Sequence, residues 1–421
     1  MNSLPFAWSV IATHIKSLQA EVQPLRSAHR RCLAEAAHVR FDLPGFDNSA
    51  MDGYAVRYAD IMSASSSAWA VCGESRAGGE LPPSLPKGQV MRIFTGAPLP
   101  EGADTVVIQE DTEVVAGASD ASPAKVRFTE VPVQRGQHVR AKGSDMRVGS
   151  AALNAGQVLR AGELALLASQ GYAQVSVYKQ PRVAILCTGD ELCDVEEAGQ
   201  PGRVVNSNAY ALAAQIEEAG GVPWVLAPAA DRKEAVIERI QEAMTQDAQG
   251  ADMLLTVGGV SVGDYDVVWP ALDELGAQRH FWKVAIKPGK PVMFGEINAR
   301  PLFGLPGNPI SAMVTFELFV RPAIRMLQGD PNPYRAALRT RLGSARKHGH
   351  SRMEVLRARM SHDAEGLRVD PVAHQGSGSL PSMIHVDALV FLPPGPEVYD
   401  AGSMVLALPL HTAASADPPL R

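Results

Sequence analysis

The 421-residue chain carries 39 Lys and Arg against 45 Asp and Glu, a formal charge of −6, with 46% hydrophobic and 20% charged residues. That composition describes an ordinary globular protein long enough for two to four domains, and it excludes an overall basic field of the kind that drives non-specific binding to nucleic acid or anionic membranes. A local basic pocket for an anion stays possible. No apolar run approaches the roughly 18–20 residues that span a bilayer, and the start MNSLPFAWSVIATHIKS lacks a basic head, a continuous apolar segment and a cleavage site, so a cytoplasmic location without membrane contact is expected. Cys32, Cys72, Cys187 and Cys193 form no CxxC pair and no zinc spacing, which fits core or surface thiols in a reducing compartment.

Residues 7–38 are expected to be helical: Val10, Ile11, Ile15 and Leu18 recur at near-helical spacing until Pro24 breaks the pattern and a second, Ala-rich helix begins. From Asp42 to Lys142 short runs of Val, Ile and Phe alternate with PPSLPKG, TGAPLPEGAD and VAGASDASPA, the pattern of a small β-rich domain. AGELALLASQGY reads as a short helix. Apolar strands are then expected at 182–187, 222–227, 253–257, 280–286 and 301–304. Helices are expected at 208–219, 232–247, 266–275 and 309–327. This alternation implies a mostly parallel, doubly wound α/β sheet with helices on both faces. Beyond the GDPNPY break at 329–334, alternating polar and apolar residues predict a further small β domain to residue 412. The tail 413–421 reads as flexible.

Three loops that directly follow apolar strands carry the chemistry: Thr188-Gly189-Asp190-Glu191, Gly258-Gly259-Val260-Ser261-Val262-Gly263-Asp264 and Gly304-Leu305-Pro306-Gly307-Asn308-Pro309. All are expected at the carboxyl edge of the sheet, where open parallel sheets bind ligands and helix starts offer N–H groups to anions. Tight turns are the plainer reading for any one of them. None matches a P-loop or a strict GxGxxG. Asn308 and Pro309 fit an N-cap and first helical position, with Ser311 in the first turn. Lys283-Val-Ala-Ile-Lys287-Pro-Gly-Lys290-Pro291 sets three ammonium groups within eight residues on a proline-stiffened turn, resembling an oxyanion trap, against the alternative of a solvated basic turn. Asp190, Glu191, Asp231, Asp264 and Asp266 are hard oxygen donors suited to Mg2+ rather than zinc, although Asp231 also fits a helix N-cap. Phe46–Ala55 is dense in turn-forming polar residues with little core periodicity.

Six segments, PGFDNSAMDGYAVR at 44–57, FTGAPLPEGADTVV at 94–107, TGDEL at 188–192, GGVSVGDYD at 258–266, KPGKP at 287–291 and GLPGNPIS at 304–311, resemble in order the molybdopterin molybdenumtransferase family, which includes MoeA and the gephyrin E domain. The resemblance implies a homodimer with a helical dimerisation segment (1–41 and 143–179), a β-rich domain (42–142), an α/β molybdopterin-binding domain (180–328) and a C-terminal β-barrel-like domain (329–412). It implies an enzyme that inserts molybdate into adenylyl-molybdopterin, with Mg2+ and release of AMP, and that exchanges with molybdopterin-pathway enzymes and with acceptor molybdoenzymes or their chaperones. Carried over by position, Asp52 and Thr95 reach the cleft across the dimer, with Arg140 and Asp145 nearby. Glu191, Asp231 and Asp266 hold magnesium and orient the pyrophosphate, and Ser261 contacts phosphate. Lys283, Lys287 and Lys290 supply positive charge. Pro291, Pro306, Pro309, Ser311, Arg352 and either Ser377 or Ser379 line the substrate and molybdate side. Gly45 departs from the family's frequent proline, and Asn206 and Asn208 lie in a stretch, 205–208, that carries aspartate in some relatives, a change bearing on a metal or pterin contact. Two rival readings are a molybdopterin adenylyltransferase, which needs neither the 44–107 region nor the C-terminal domain, and a gephyrin-like scaffold.

Overall fold

The structure is a computed structural model that describes residues 1–63, 68–119, 122–132, 134–245, 250–259, 267–349, 351–395 and 397–411. The chain divides into two compact units. The smaller comprises Ala36–Asn154 and Gly162–Ala173; the larger comprises Met1–Glu35, Ala155–Ala161 and the chain from Gln174 onward.

Short β-branched runs make the smaller unit a sheet. Its six strands lie in the order Thr105–Ile108, Gly53–Val56, Gln89–Ile93, Trp69–Ser75, Ser122–Phe128, Thr112–Ser119. Alternation along each strand sends Tyr54, Val56, Val90 and Val107 to one core and Ala55, Met91, Ile93 and Val106 to another, so both faces are covered. The unit is wider than 42–142 because Ala37–His38 pairs with Ala151–Leu153 and Leu43 bridges Met146.

The Ala-rich helix expected after Pro24 does not form. Leu4–His14 is the N-terminal helix, but Ala20–Pro24 pairs antiparallel with Gln174–Tyr178, and Cys32 and Leu33 bridge Val158 and Val177. Long-range pairing overrides alanine's weak helical preference here. Of 143–179, only Ala161–Ser169 is helical.

The larger unit centres on a mixed sheet of β1 (Arg182–Cys187), β2 (Val222–Val225), β3 (Met253–Val257), β4 (Gln278–Trp282), β5 (Met293–Ile297) and β6 (Arg300–Leu305), ordered β2-β1-β3-β6-β5-β4. The first four in that order are parallel; β5 is antiparallel to both β6 and β4. The helices of this domain are α1 (Ser207–Glu218), α2 (Lys233–Ala243), α3 (Val268–Glu274) and α4 (Pro309–Thr315). Consecutive residues of β1 enter opposite cores, Val183 and Ile185 one, Ala184 and Leu186 the other, which explains its unbroken apolar run. The strand expected at 280–286 ends at Trp282, and β5 had no counterpart among the expected strands.

α4 continues through a π-turn at Phe316–Val320 into helical Arg321–Leu327. Pro322 has no N–H to give Leu318, and the Trp8 indole N–H of the N-terminal helix donates to that carbonyl at 2.8 Å instead. Beyond it, Leu338–Leu342, Met353–Asp363, Gly366–Pro371, Ala388–Leu392 and Met404–Pro409 close into a five-stranded barrel, because Met353–Asp363 pairs with both Gly366–Pro371 and Ala388–Leu392. Among the described residues no helix is long and apolar enough to cross a membrane. All four cysteines are free thiols, and burial pushes Cys32 and Cys187 up to about 11, far from thiolate chemistry.

Candidate functional site

Strand register places the candidate loops together. Cys187 pairs with Val257 and Val257 with Leu305, while Gly304 pairs with Met293 and Met293 with Trp282. The ends of β1, β3, β6 and β4 therefore form one edge, from which the 188–191, 258–259, 306–308 and 283–292 segments emerge. From β1 the chain moves outward to β2 and then back to β3, the kind of switch point beyond which open sheets bind ligands. Ser261 and Asp266 lie outside the described residues, as does Asp264.

At the β1 end the acidic loops are locked reciprocally. The Asp231 N–H donates to Asp190 Oδ1 at 3.1 Å and the Asp190 N–H to Asp231 Oδ2 at 3.4 Å. Burial pushes the Asp231 carboxyl up, and the neighbouring Asp190 and Glu191 charges add to this against the lowering by the Asp190 amide. The residue at the N-cap of α2 is Arg232, so helix capping does not account for Asp231. The buried Thr188 hydroxyl beside them has no hydrogen-bond partner among the described residues. These are hard oxygen donors whose crowding a divalent cation would relieve. Among the described residues, no three carboxylates bring donor atoms within 4.8 Å of one another.

The lysine segment is held at several points. Lys283 and Val284 donate backbone N–H groups to Val292 and Lys290 carbonyls, at 3.0 Å each, and Asn2 donates to the Lys283 carbonyl at 3.1 Å. These contacts fix Lys283 at φ 66°, with its ammonium 3.6 Å over the Trp282 ring. Ile286–Lys287 pairs with Met353–Glu354 of the barrel, and Lys287 Nζ lies 3.2 Å from Glu354 Oε1. Arg352 donates to the Ile286 carbonyl at 3.3 Å. Pro291 closes the turn before β5. Among the described residues Lys287 makes an ion pair, with Glu354, while Lys283 and Lys290 make none.

The third loop is tied to the barrel by Ser377. Asn308 occupies the N-cap of α4 and Pro309 its first position, as the sequence suggested, but Asn308 makes no capping bond; its amide donates to Ser377 Oγ at 3.2 Å. The Ile310 N–H donates to the Ser377 carbonyl at 3.1 Å. Ser379 instead precedes the short 3-10 turn Leu380–Met383, so the two serines occupy different places. Ser311 is buried in the first turn of α4, and Pro306 lies directly beyond β6. Of three further positions, the sequence points to Asn206 and Asn208 as bearing on a metal or pterin contact, and only Arg357 escapes it. Asn208 donates to the Gly307 carbonyl at 2.8 Å, and Asn206 caps α1, which gives both asparagines structural work within the fold. Arg357, fully buried, donates to the His374 and Gly376 carbonyls and so holds the segment leading into Ser377. An arginine inside this strand, with Arg359 two residues on, carries no sequence signal of that contact.

In the smaller unit Asp52 Oδ1 accepts from both the N–H and the hydroxyl of Thr95, each at 2.7 Å, and these two bonds hold its carboxyl below the usual range. Arg140 and Asp145 pair at 2.7 Å, both half-exposed. The stability from the Asp52 bonds is present above the ordinary aspartate pKa and is lost as pH falls through the depressed one, but exposure keeps it small. Thr95→Val should move the Asp52 carboxyl titration, followed by NMR, upward while leaving it below the ordinary value, since the backbone donor survives. An unmoved titration would remove the hydroxyl from this pair.

A carboxyl sheet edge bearing carboxylates beyond β1 and lysines beyond β4 fits an α/β enzyme for a phosphate-bearing anionic ligand. Residues 3–171 match the MoeA N-terminal region (domain I and II), residues 184–326 a probable molybdopterin binding domain, and residues 339–410 the MoeA C-terminal region (domain IV). The chain is 37% identical over 398 residues to a molybdopterin molybdenumtransferase of Nostoc sp., covering 93% of this chain and 88% of that one. It is 36% identical to a molybdopterin molybdenumtransferase of Bacillus subtilis, covering 93% and 90%. A solved molybdopterin biosynthesis MoeA protein from Pyrococcus horikoshii superposes with a TM-score of 0.79 at 30% identity, covering 98% of this chain and 99% of that one. The chain belongs to the MoeA family of molybdopterin molybdenumtransferases, enzymes of molybdenum-cofactor biosynthesis.

Proposed function

We propose that this chain inserts molybdate into adenylyl-molybdopterin with Mg2+ and releases AMP. The observation that carries the reading is the shared sheet edge: Asp190, Glu191 and Asp231 at the end of β1 and beyond, Lys283, Lys287 and Lys290 at the end of β4, with the α4 start between them. Glu191 and Asp231 would hold magnesium, which when bound neutralises charge on the pyrophosphate oxygens. The lysines offset the charge that gathers on the phosphates as the P–O bond breaks, and their fixed backbone spares reorganisation at that moment. The α4 N-terminus, Ser377 and Arg352 orient the oxyanion toward the dithiolene. Asp52, Thr95, Arg140 and Asp145 belong to the same reading through a homodimer, in a cytoplasmic setting, with pathway enzymes and acceptor molybdoenzymes as partners. Matches to both the N- and C-terminal regions favour it over an adenylyltransferase.

The test is incubation of the purified chain with adenylyl-molybdopterin, Mg2+ and molybdate, followed by quantification of AMP and of molybdenum cofactor. Absence of both products while the nucleotide binds would overturn the reading; a parallel tungstate series reads oxyanion preference. Ser377→Ala is expected to raise the KM for molybdate about tenfold, the cost of one hydrogen bond to a charged group, whereas Ser379→Ala leaves it near wild type. The reverse order would move the oxyanion contact to Ser379.

A further inference from the structure

A second cluster of metal-binding side chains lies in the larger unit and takes no part in the transferase reading. His14 closes the N-terminal helix, His280 lies on β4 and Glu296 on β5, and one ligand atom from each falls within 4.8 Å of the other two. We infer that His14, His280 and Glu296 form a binding site for a borderline divalent ion of the Zn2+ class, which clamps the N-terminal helix to the antiparallel edge of the sheet.

Three features of the fold build this site. His14 Nδ1 is 2.8 Å from the Val10 carbonyl, which accepts only if Nδ1 carries the proton; the lone pair is thereby left on Nε2, with no hydrogen-bond partner among the described residues. Anchoring one ring nitrogen on a backbone carbonyl so that the other faces a metal is the usual support of histidine ligands. The second feature is a β-bulge. Arg279 pairs with Gly295 and Phe281 with Phe294, so His280 is the extra residue, and its side chain is re-aimed off the regular alternation. Gly295 makes the bulge possible, because a Cβ there would lie 2.3 Å from the Gln278 carbonyl oxygen. The third is the existing pairing. His280 Nε2 lies 2.9 Å from Glu296 Oε2, and the two imidazoles lie against each other with centroids 3.8 Å apart and planes tilted by 31°, beside the buried Phe294 ring.

Ligands of a tetrahedral ion with bonds of about 2.1 Å lie about 3.4 Å apart, so side-chain adjustments of about 1 Å close the site. Two imidazoles and one carboxylate suit Zn2+, Cu2+ or Ni2+ and disfavour Mg2+, which separates this site from the acidic loops. Three protein ligands leave a fourth position for water. The ion would join residues 266 positions apart in the chain (280 − 14) and stabilise the larger unit by binding only its folded form.

The test is competitive titration of tag-free, chelator-treated full-length chain with Zn2+, alongside His14→Gln and His280→Gln. The expected result is one ion per chain in the wild type, with affinity at least tenfold weaker in each variant, while far-UV circular dichroism of the metal-free proteins coincides. Co2+ substituted in the wild type should show tetrahedral ligand-field bands that neither variant reproduces. Wild-type affinity matched by the His14→Gln, His280→Gln double variant, or no stoichiometric binding, overturns the inference. Either outcome leaves the molybdate reading untouched, since that is read by AMP release.

Discussion

Asp231→Asn is expected to lower kcat by about 10²–10³, the range seen when one preorganised charge-stabilising group is removed, and at the same time to raise the melting temperature of the metal-free protein. The two effects share a cause. Burial first, and the Asp190 and Glu191 charges after it, raise the folded-state pKa of Asp231 above its unfolded value. A carboxyl whose folded pKa is raised binds more protons when folded. Its favourable contribution is therefore present below the unfolded pKa and is lost as pH rises through the folded one. At neutral pH the ionised Asp231 thus opposes folding, and an asparagine removes that opposition while its amide oxygen still accepts from the Asp190 N–H. Magnesium should protect wild-type protein against heat and protect the variant much less. Comparison of thermal melts with and without Mg2+, beside AMP release, checks both halves. A variant that is both active and unchanged in stability would separate Asp231 from the site.

Much of this site could be read from the chain because it sits where an apolar strand ends in glycine. β1, β3 and β6 were placed by their buried runs, and the strand-to-loop order implied one edge before any register was known. What escaped reading depends on pairing between distant residues. Lys287 meets Glu354 and Asn308 meets Ser377 only because the barrel returns to the sheet. Ser377 and Ser379 differ by two positions and have the same side chain, so only this long-range docking tells them apart. Residues 25–38 misled through composition: alanines suggested a helix where Cys32 and Leu33 pair across the fold. β5 was missed because Met-Phe-Gly-Glu-Ile is short and its glycine looks like a breaker, whereas Gly295 is what lets the strand approach the β4 bulge. The sequence also placed lysines close together without revealing that Lys287 is paired with Glu354.

Phe294→Ala is expected to cost the larger unit about 3–5 kcal/mol, the range for deleting a buried aromatic ring. Phe294 is fully buried on β5, with the Phe303 ring 4.8 Å and the Phe281 ring 5.7 Å away. It belongs to the core that gathers Leu4, Ala7 and Ile11 of the N-terminal helix with the sheet, the α4 helix and part of the barrel. Aromatic neighbours and a bulged strand cannot collapse far into the vacated volume, which sets the loss toward the upper end. Among the described residues, the two clusters around Tyr54 and Met91 are built from residues of the smaller unit, so the unfolding of that unit should keep its midpoint. Urea denaturation can separate the two, because Trp69 lies in the smaller unit while Trp8, Trp224, Trp269 and Trp282 lie in the larger. A loss below about 1 kcal/mol, small for such a truncation, would mean that the β5 face repacks without its ring. Turnover should fall with the fraction folded and recover at low temperature, because the lysine segment begins and ends on the strands that Phe294 holds together.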